Sequence, residues 1–149
     1  MTVIKGFNHV SFTVSDMGRS LAFYHDLLGM TLEADREIQG PHISQITGFS
    51  GARLRAANLR LGGLMVELIQ YREPVGEQPS LRTCNVGNAH VGFDVEDLPR
   101  LVRELSAKGV SFRSEPVAIP SGPLKGGYVV YLSDPDGITL EFIQRPKAE

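Results

Sequence analysis

What the sequence has little of narrows the reading first. A single cysteine, Cys84, has no CxxC partner, which excludes an internal disulfide framework and a paired redox centre and leaves a lone small hydrophobe. Positive charge is not in excess: 15 Lys and Arg against 17 Asp and Glu give a net −2, so nucleic acid is not an expected partner. No apolar run approaches the roughly 18 residues needed to span a bilayer, and no charged-then-apolar leader opens the chain. A soluble cytoplasmic protein without a membrane partner is therefore expected. What is plentiful is turn chemistry: 16 glycines and 9 prolines punctuate the 149 residues and predict a sheet-rich domain. A chain of this length buries roughly 70% of its unfolded surface and needs neither disulfide nor structural metal to fold.

The chain repeats itself. NHVSFTVSD from Asn8 to Asp16 lies over AHVGFDVED from Ala89 to Asp97, with five of nine positions identical and His9 over His90 at an offset of 90 − 9 = 81. A helix is expected after each, over Met17 to Gly29 and Leu98 to Gly109, with Asp16 and Asp97 as N-caps and a glycine at each C-terminus. Their apolar stripes are Met17, Leu21, Tyr24 and Leu28 in the first, and Leu98, Leu101, Val102 and Leu105 in the second. Further along, GGLMVELIQ lies over DGITLEFIQ, which places Glu67 over Glu141 at an offset of 141 − 67 = 74. The smaller offset means that the halves differ in loop length, a cheap change.

Gly62 and Gly63 read as a hairpin turn and Asp134 to Gly137 as another. Leu54 to Leu61 and Tyr128 to Leu132 supply penultimate strands, and Val110 to Arg113 begins an earlier one in the second half. Each half is thus strand, helix, then several strands. Strand alternation then assigns faces. Val10, Phe12 and Val14 oppose His9, Ser11 and Thr13, and Val91, Phe93 and Val95 oppose His90, Gly92 and Asp94. In the closing strands Val66 and Leu68 oppose Met65, Glu67 and Ile69, while Leu140 and Phe142 oppose Thr139, Glu141 and Ile143. The expected fold is α+β: one domain over 1–149 made of two paired βαβββ modules, about 5–75 and 86–145. Their strands form a curved mixed sheet with helices on its outer face. His9, Glu67, His90 and Glu141 then converge on the concave side, a metal site by composition. Neutral imidazoles and carboxylates suit one divalent cation per site, Zn, Ni, Fe, Co or Mn, and four protein ligands leave an octahedral ion two open positions.

Two segments are candidate substrate rims. Glu37 to Arg55 carries Gly40, Pro41, Gly48 and Gly51 without a clean period, and a loop of that size is often an active-site cover. His42, Gln45, Arg53 and Arg55 on it are either substrate contacts or surface charge. SGPLKGG from Ser121 to Gly127 is the other rim, with Lys125 as an anion contact. His25, beside Asp26 on the first helix, reads as solvated.

These stretches, together with FYHDLLGM and the terminal YLSDPDGITLEFIQ, are similar to the vicinal-oxygen-chelate superfamily, which groups glyoxalase I, methylmalonyl-CoA epimerase, extradiol dioxygenases and bleomycin or fosfomycin resistance proteins. The resemblance covers nearly the whole chain. It implies that His9, Glu67, His90 and Glu141 are metal ligands and that the protein is a homodimer, with ligands of one site drawn from one chain or two. Methylmalonyl-CoA epimerases usually carry Gln where this chain has Glu67. Extradiol dioxygenases are larger and use two His and one carboxylate, and bleomycin-binding members lack the ligands. The two-His, two-Glu set most resembles bacterial glyoxalase I. The implied activity is that of a metal-dependent lyase or isomerase, in which a proton is abstracted beside a carbonyl of a small oxygenated substrate and a metal-stabilised enediolate forms. Glu141, with Glu67, is ligand and base. A ring-cleaving dioxygenase and a non-catalytic binding or resistance protein are the alternatives.

Overall fold

The computed structural model describes residues 3–147. The chain divides into two compact units, Met1–Gln78 and Pro79–Glu149. Each holds one four-stranded mixed sheet of the same topology.

In the first unit the strands are β1 (Val10–Thr13), β2 (Thr31–Gln39), β3 (Arg53–Leu61) and β4 (Leu64–Glu73), in the order β1-β4-β3-β2. β1 lies parallel to β4 and the other pairs are antiparallel. The second unit repeats this with β5 (Val91–Asp94), β6 (Val117–Ala118), β7 (Tyr128–Ser133) and β8 (Thr139–Gln144), in the order β5-β8-β7-β6, β5 again parallel to β8. A parallel neighbour requires a crossover, and helix α1 (Met17–Leu21) opens one while α3 (Leu98–Ala107) forms the other. Asp16 and Asp97 cap them as expected, their carboxylates accepting from Arg19 N at 2.7 Å and Arg100 N at 3.0 Å.

A second device ties each helix to its sheet. Gln70 Oε1 accepts from Met17 N at 3.1 Å while its Nε2 donates to Ser15 O at 2.9 Å, and Gln144 Oε1 accepts from Leu98 N at 2.7 Å. Gln70 shares a face of β4 with the fully buried Val66 and Leu68, and Gln144 shares one of β8 with the buried Leu140 and Phe142. The helices therefore cover these faces, and Glu67 and Glu141, one residue out of step, point away from them.

The structure corrects three expectations. After Leu21 the first helix widens into a π-helical stretch, Ala22–Leu27, where Leu28 N reaches back five residues to Phe23 O at 3.0 Å. The wider turn rotates the stripe, so Met17, Ser20, Phe23 and Tyr24 are buried whereas Leu21 and Leu28 are only half-buried. The segment Glu37 to Arg55 is not a long loop. β2 runs to Gln39, and Pro41, preset for a first turn, starts helix α2 (Pro41–Thr47), which ends on the left-handed Gly48. Ile43 of α2 packs on Ala52 and Leu54, with Ile38, Ile69 and Tyr71 around them. Finally, Val110 to Arg113 contributes only a single bridge, Phe112 to Leu132, and the edge strand β6 comes later and is two residues long.

Candidate metal and substrate site

Parallel pairing sets the site within each half. Ser11 is in register with Glu67 and Gly92 with Glu141, so the histidines just ahead of β1 and β5 arrive beside the glutamates of β4 and β8. The same backbone bond locks both crossings: Val14 N to Ile69 O and Val95 N to Ile143 O, each 2.8 Å. His9 Nε2 stands 3.5 Å from Glu67 Oε2, and His90 Nε2 stands 3.3 Å from Glu141 Oε2. The glutamates are largely sheltered, with side chains 17% and 19% exposed, while the imidazoles remain open at 40% and 38%.

This spacing fits a shared cation. Two donors bound at about 2.1 Å in adjacent positions of an octahedral ion lie about 3 Å apart, close to both separations. The donor types, imidazole nitrogen and carboxylate oxygen, suit a borderline divalent ion. Among the described residues no three or more His, Cys, Asp or Glu side chains are grouped to hold a metal, so what each half offers is a two-donor pair.

Other side chains on the ligand-bearing faces were not singled out from sequence. Opposite Glu67 on β3 is Asn58, whose Oδ1 accepts from Arg36 NH1 at 2.6 Å; Arg36 NH2 lies 3.7 Å from Glu67 Oε1. Opposite Glu141 on β7 is Tyr131, its ring 5.1 Å from that of His90. Arg113 stacks over Tyr131 at 5.8 Å and donates to the buried Thr139 hydroxyl at 2.7 Å. Gly92 leaves room here, because a Cβ on it would stand 3.4 Å from Glu141 Oε2 and 3.2 Å from Ile143 Cδ1. A signal for Asn58 was present: a two-residue turn at Gly62 and Gly63 pairs Leu61 with Leu64, and three pairs back Asn58 meets Glu67.

The sequence-derived substrate contacts are dispersed. His42 and Gln45 lie exposed on α2, which covers the Ile69 end of the Glu67-bearing face. Arg53 pairs with Glu73 at 3.6 Å, and Lys125 is exposed in its turn. Arg55 is opposite Gln70 in the register and so belongs to the helix-covered face, away from Glu67. Its guanidinium grips Asp35 bidentately at 2.9 and 2.6 Å, which holds the Asp35 carboxyl below the usual carboxylate range and raises the arginine. Arg55 is therefore committed to Asp35 in this structure. His25 Nδ1 donates to Met30 O at 2.7 Å and serves the helix end.

No helix among the described residues is long and apolar enough to cross a membrane. Residues 6–142 match the model of the glyoxalase/bleomycin resistance protein/dioxygenase superfamily. A lactoylglutathione lyase of Arabidopsis thaliana is 33% identical over 143 residues, which is 95% of this chain and 44% of that protein. A 2-epi-5-epi-valiolone epimerase of an Actinomyces species is 29% identical over 144 residues, 93% of this chain and 79% of that one. The chain thus spans under half the length of the plant relative. A glyoxalase family protein of Bacillus cereus shares the fold, with a TM-score of 0.85 at 19% identity over 98% of this chain and 97% of that one. With its duplicated βαβββ sheets and a matched His–Glu pair in each, the chain belongs to the glyoxalase/bleomycin resistance protein/dioxygenase superfamily.

Proposed function

We propose that the protein is a divalent-metal-dependent lyase or isomerase that removes a proton beside a carbonyl of a small oxygenated substrate. The reading rests on one observation: both halves present an imidazole and a sheltered carboxylate 3.3 to 3.5 Å apart, on the sheet face turned away from the crossover helix. A solvated surface does not require that match twice. His9, Glu67, His90 and Glu141 are the proposed ligands, two from each half, supplied by one chain or by the two chains of a homodimer. A divalent cation held there supplies the Lewis acidity that takes up charge developing on a carbonyl oxygen.

The chain's own residues do the rest. The Glu141 carboxylate, aided by Glu67, receives the proton at an Oε atom. Tyr131 beside His90 and the half-buried Ile69 and Ile143 limit water at the reacting carbon. His42 and Gln45, carried by α2 over the same face, Arg53, and Lys125 on its turn are proposed substrate contacts. Relatives named as a lyase and as an epimerase both support this class of chemistry.

The test is metal analysis of the purified protein followed by solvent-deuterium exchange, under nitrogen, across a panel of carbonyl compounds. Metal-dependent exchange that Glu141→Gln and His90→Ala abolish is the expected result. Oxygen uptake with Fe²⁺ and a catechol would replace this reading with a dioxygenase. Ligand binding that survives both metal removal and Glu141→Gln would replace it with a binding protein.

A further inference from the structure

Most arginines of the first half are accounted for by acids outside the site. Arg55 holds Asp35, Arg60 holds Glu33, Arg53 faces Glu73 and Arg72 faces Glu37. Arg36 differs, because its acidic neighbour is Glu67, one of the proposed ligands, at 3.7 Å. Its hydrogen bond to Asn58 Oδ1 uses one of the five N–H donors of the guanidinium, and the side chain is 47% exposed.

The repeat shows that the fold does not need a cation there. Arg36 pairs with Ala56, which pairs with Ile69; in the other half Val117 pairs with Val129, which pairs with Ile143. Ile69 and Ile143 each stand two residues past their glutamate, so Arg36 and Val117 hold equivalent places. A valine satisfies the sheet in one half, and the charge in the other answers a different demand. Once Glu67 is committed to a cation, its carboxylate no longer balances Arg36. A positive fork, aimed by Asn58 along the ligand-bearing face, is then left for an incoming group.

Building on the metal reading, we propose that Arg36 is a substrate-binding residue that selects an anionic substituent, a carboxylate in the simplest case, borne a few bonds from the oxygens that approach the cation. A guanidinium fork matches a carboxylate in shape as well as charge.

Two chelating probes separate this contact from the metal itself: acetohydroxamate, which has a neutral tail, and N-hydroxysuccinamic acid, which has the same head and a carboxylate tail. Each is titrated calorimetrically into cobalt-loaded protein. The wild type should favour the carboxylate probe about five- to tenfold, the modest gain of a charge-assisted contact at a half-exposed site. Arg36→Gln should erase the preference while leaving cobalt content and acetohydroxamate affinity unchanged, and Arg36→Lys should retain part of it. The preference should also shrink with added salt. A preference that survives Arg36→Gln, or is lost instead in Arg113→Gln, overturns the assignment, as does a wild type with none. Failure of acetohydroxamate to bind the cobalt-loaded protein, or of cobalt to load, would bring down the metal reading and this inference with it.

Discussion

Replacing Gln70 by leucine tests the device that couples each helix to the strand bearing a ligand. The substitution keeps the side chain's bulk and removes two hydrogen bonds, the one accepted from Met17 N and the one donated to Ser15 O. Each contributes about 1 kcal/mol net, and the freed Met17 N–H belongs to the first helical turn, where no intrahelical carbonyl can replace the lost acceptor. The expected cost is about 2 kcal/mol, which for a chain of this size lowers the melting temperature by about 4 to 8 °C. Gln70→Glu keeps the acceptor and loses the donor, so it should cost about half as much. Gln144→Leu, with one bond at 2.7 Å to Leu98 N, should cost about 1 kcal/mol. Urea unfolding read by circular dichroism gives the midpoints, and an unchanged slope shows that stability alone has moved. A Gln70→Leu midpoint equal to that of the wild type would refute the reasoning. So would a Gln70→Glu variant as unstable as the leucine one.

Further expectations follow from single side chains. The Ser20 hydroxyl is fully buried without a hydrogen-bond partner, so Ser20→Ala should leave stability unchanged or raise it by about 1 kcal/mol in the same unfolding assay. Asp35 sits below its ordinary value because of Arg55; its stabilisation is therefore complete above the unfolded aspartate value near pH 4 and fades as pH falls through the lower folded one. The stability gap between wild type and Asp35→Asn, under about 1 kcal/mol at neutral pH, should narrow progressively in unfolding curves taken at pH values stepped down from about 4. Gly127→Ala would drive a Cβ into the backbone carbonyls of Gln144 and Leu124, and a loss of about 2 to 3 kcal/mol or outright failure to fold is expected from expression and melting. Gly92→Ala would set a Cβ 3.2 Å from Ile143 Cδ1 and in ordinary contact with Glu141 Oε2 at 3.4 Å. A small shift of the Ile143 side chain should absorb it, and divalent-ion affinity measured by calorimetry should change by less than about tenfold while the fold survives.

The duplicated architecture was legible because sequence periodicity and pairing obey the same geometry. Alternation put Val66 and Leu68 on one face and Glu67 on the other, and the observed burial follows it. The caps Asp16 and Asp97 were readable for the same local reason, a carboxylate just ahead of an apolar stripe. What was not legible depends on contacts distant in sequence. The π-helical stretch keeps a plausible 3.6-residue stripe on paper and reveals itself only when Phe23 and Tyr24 are both buried. Helix α2 is short, and its single buried residue, Ile43, has meaning only against Leu54 and Tyr71 from other strands. The pairing of Arg55 was hidden because its partner Asp35 is twenty residues away across a strand pair. Gln70 and Gln144 were visible at the ends of ELIQ and EFIQ, yet a glutamine closing a strand announces no cap until the helix is beside it.

The comparison between halves separates scaffold from specificity. Positions that agree, the aspartate caps, the closing glutamines, the isoleucines two past each glutamate and the His–Glu pairs, are those that the βαβββ unit and its donor pair demand. Among the positions that differ are several beside the donors: Ser11 against Gly92, Asn58 against Tyr131 and Arg36 against Val117. Duplication begins with identical residues, and the scaffold tolerates either member of each pair in its place. Divergence at these positions beside the donors is what selection for a different group at each half would leave. One half presents a charged, hydrogen-bonding surface and the other an aromatic one. Each half's surface then favours its own kind of group, polar beside Asn58 and apolar beside Tyr131, and exchanging these two residues should exchange those preferences in small-molecule binding titrations while leaving metal content intact.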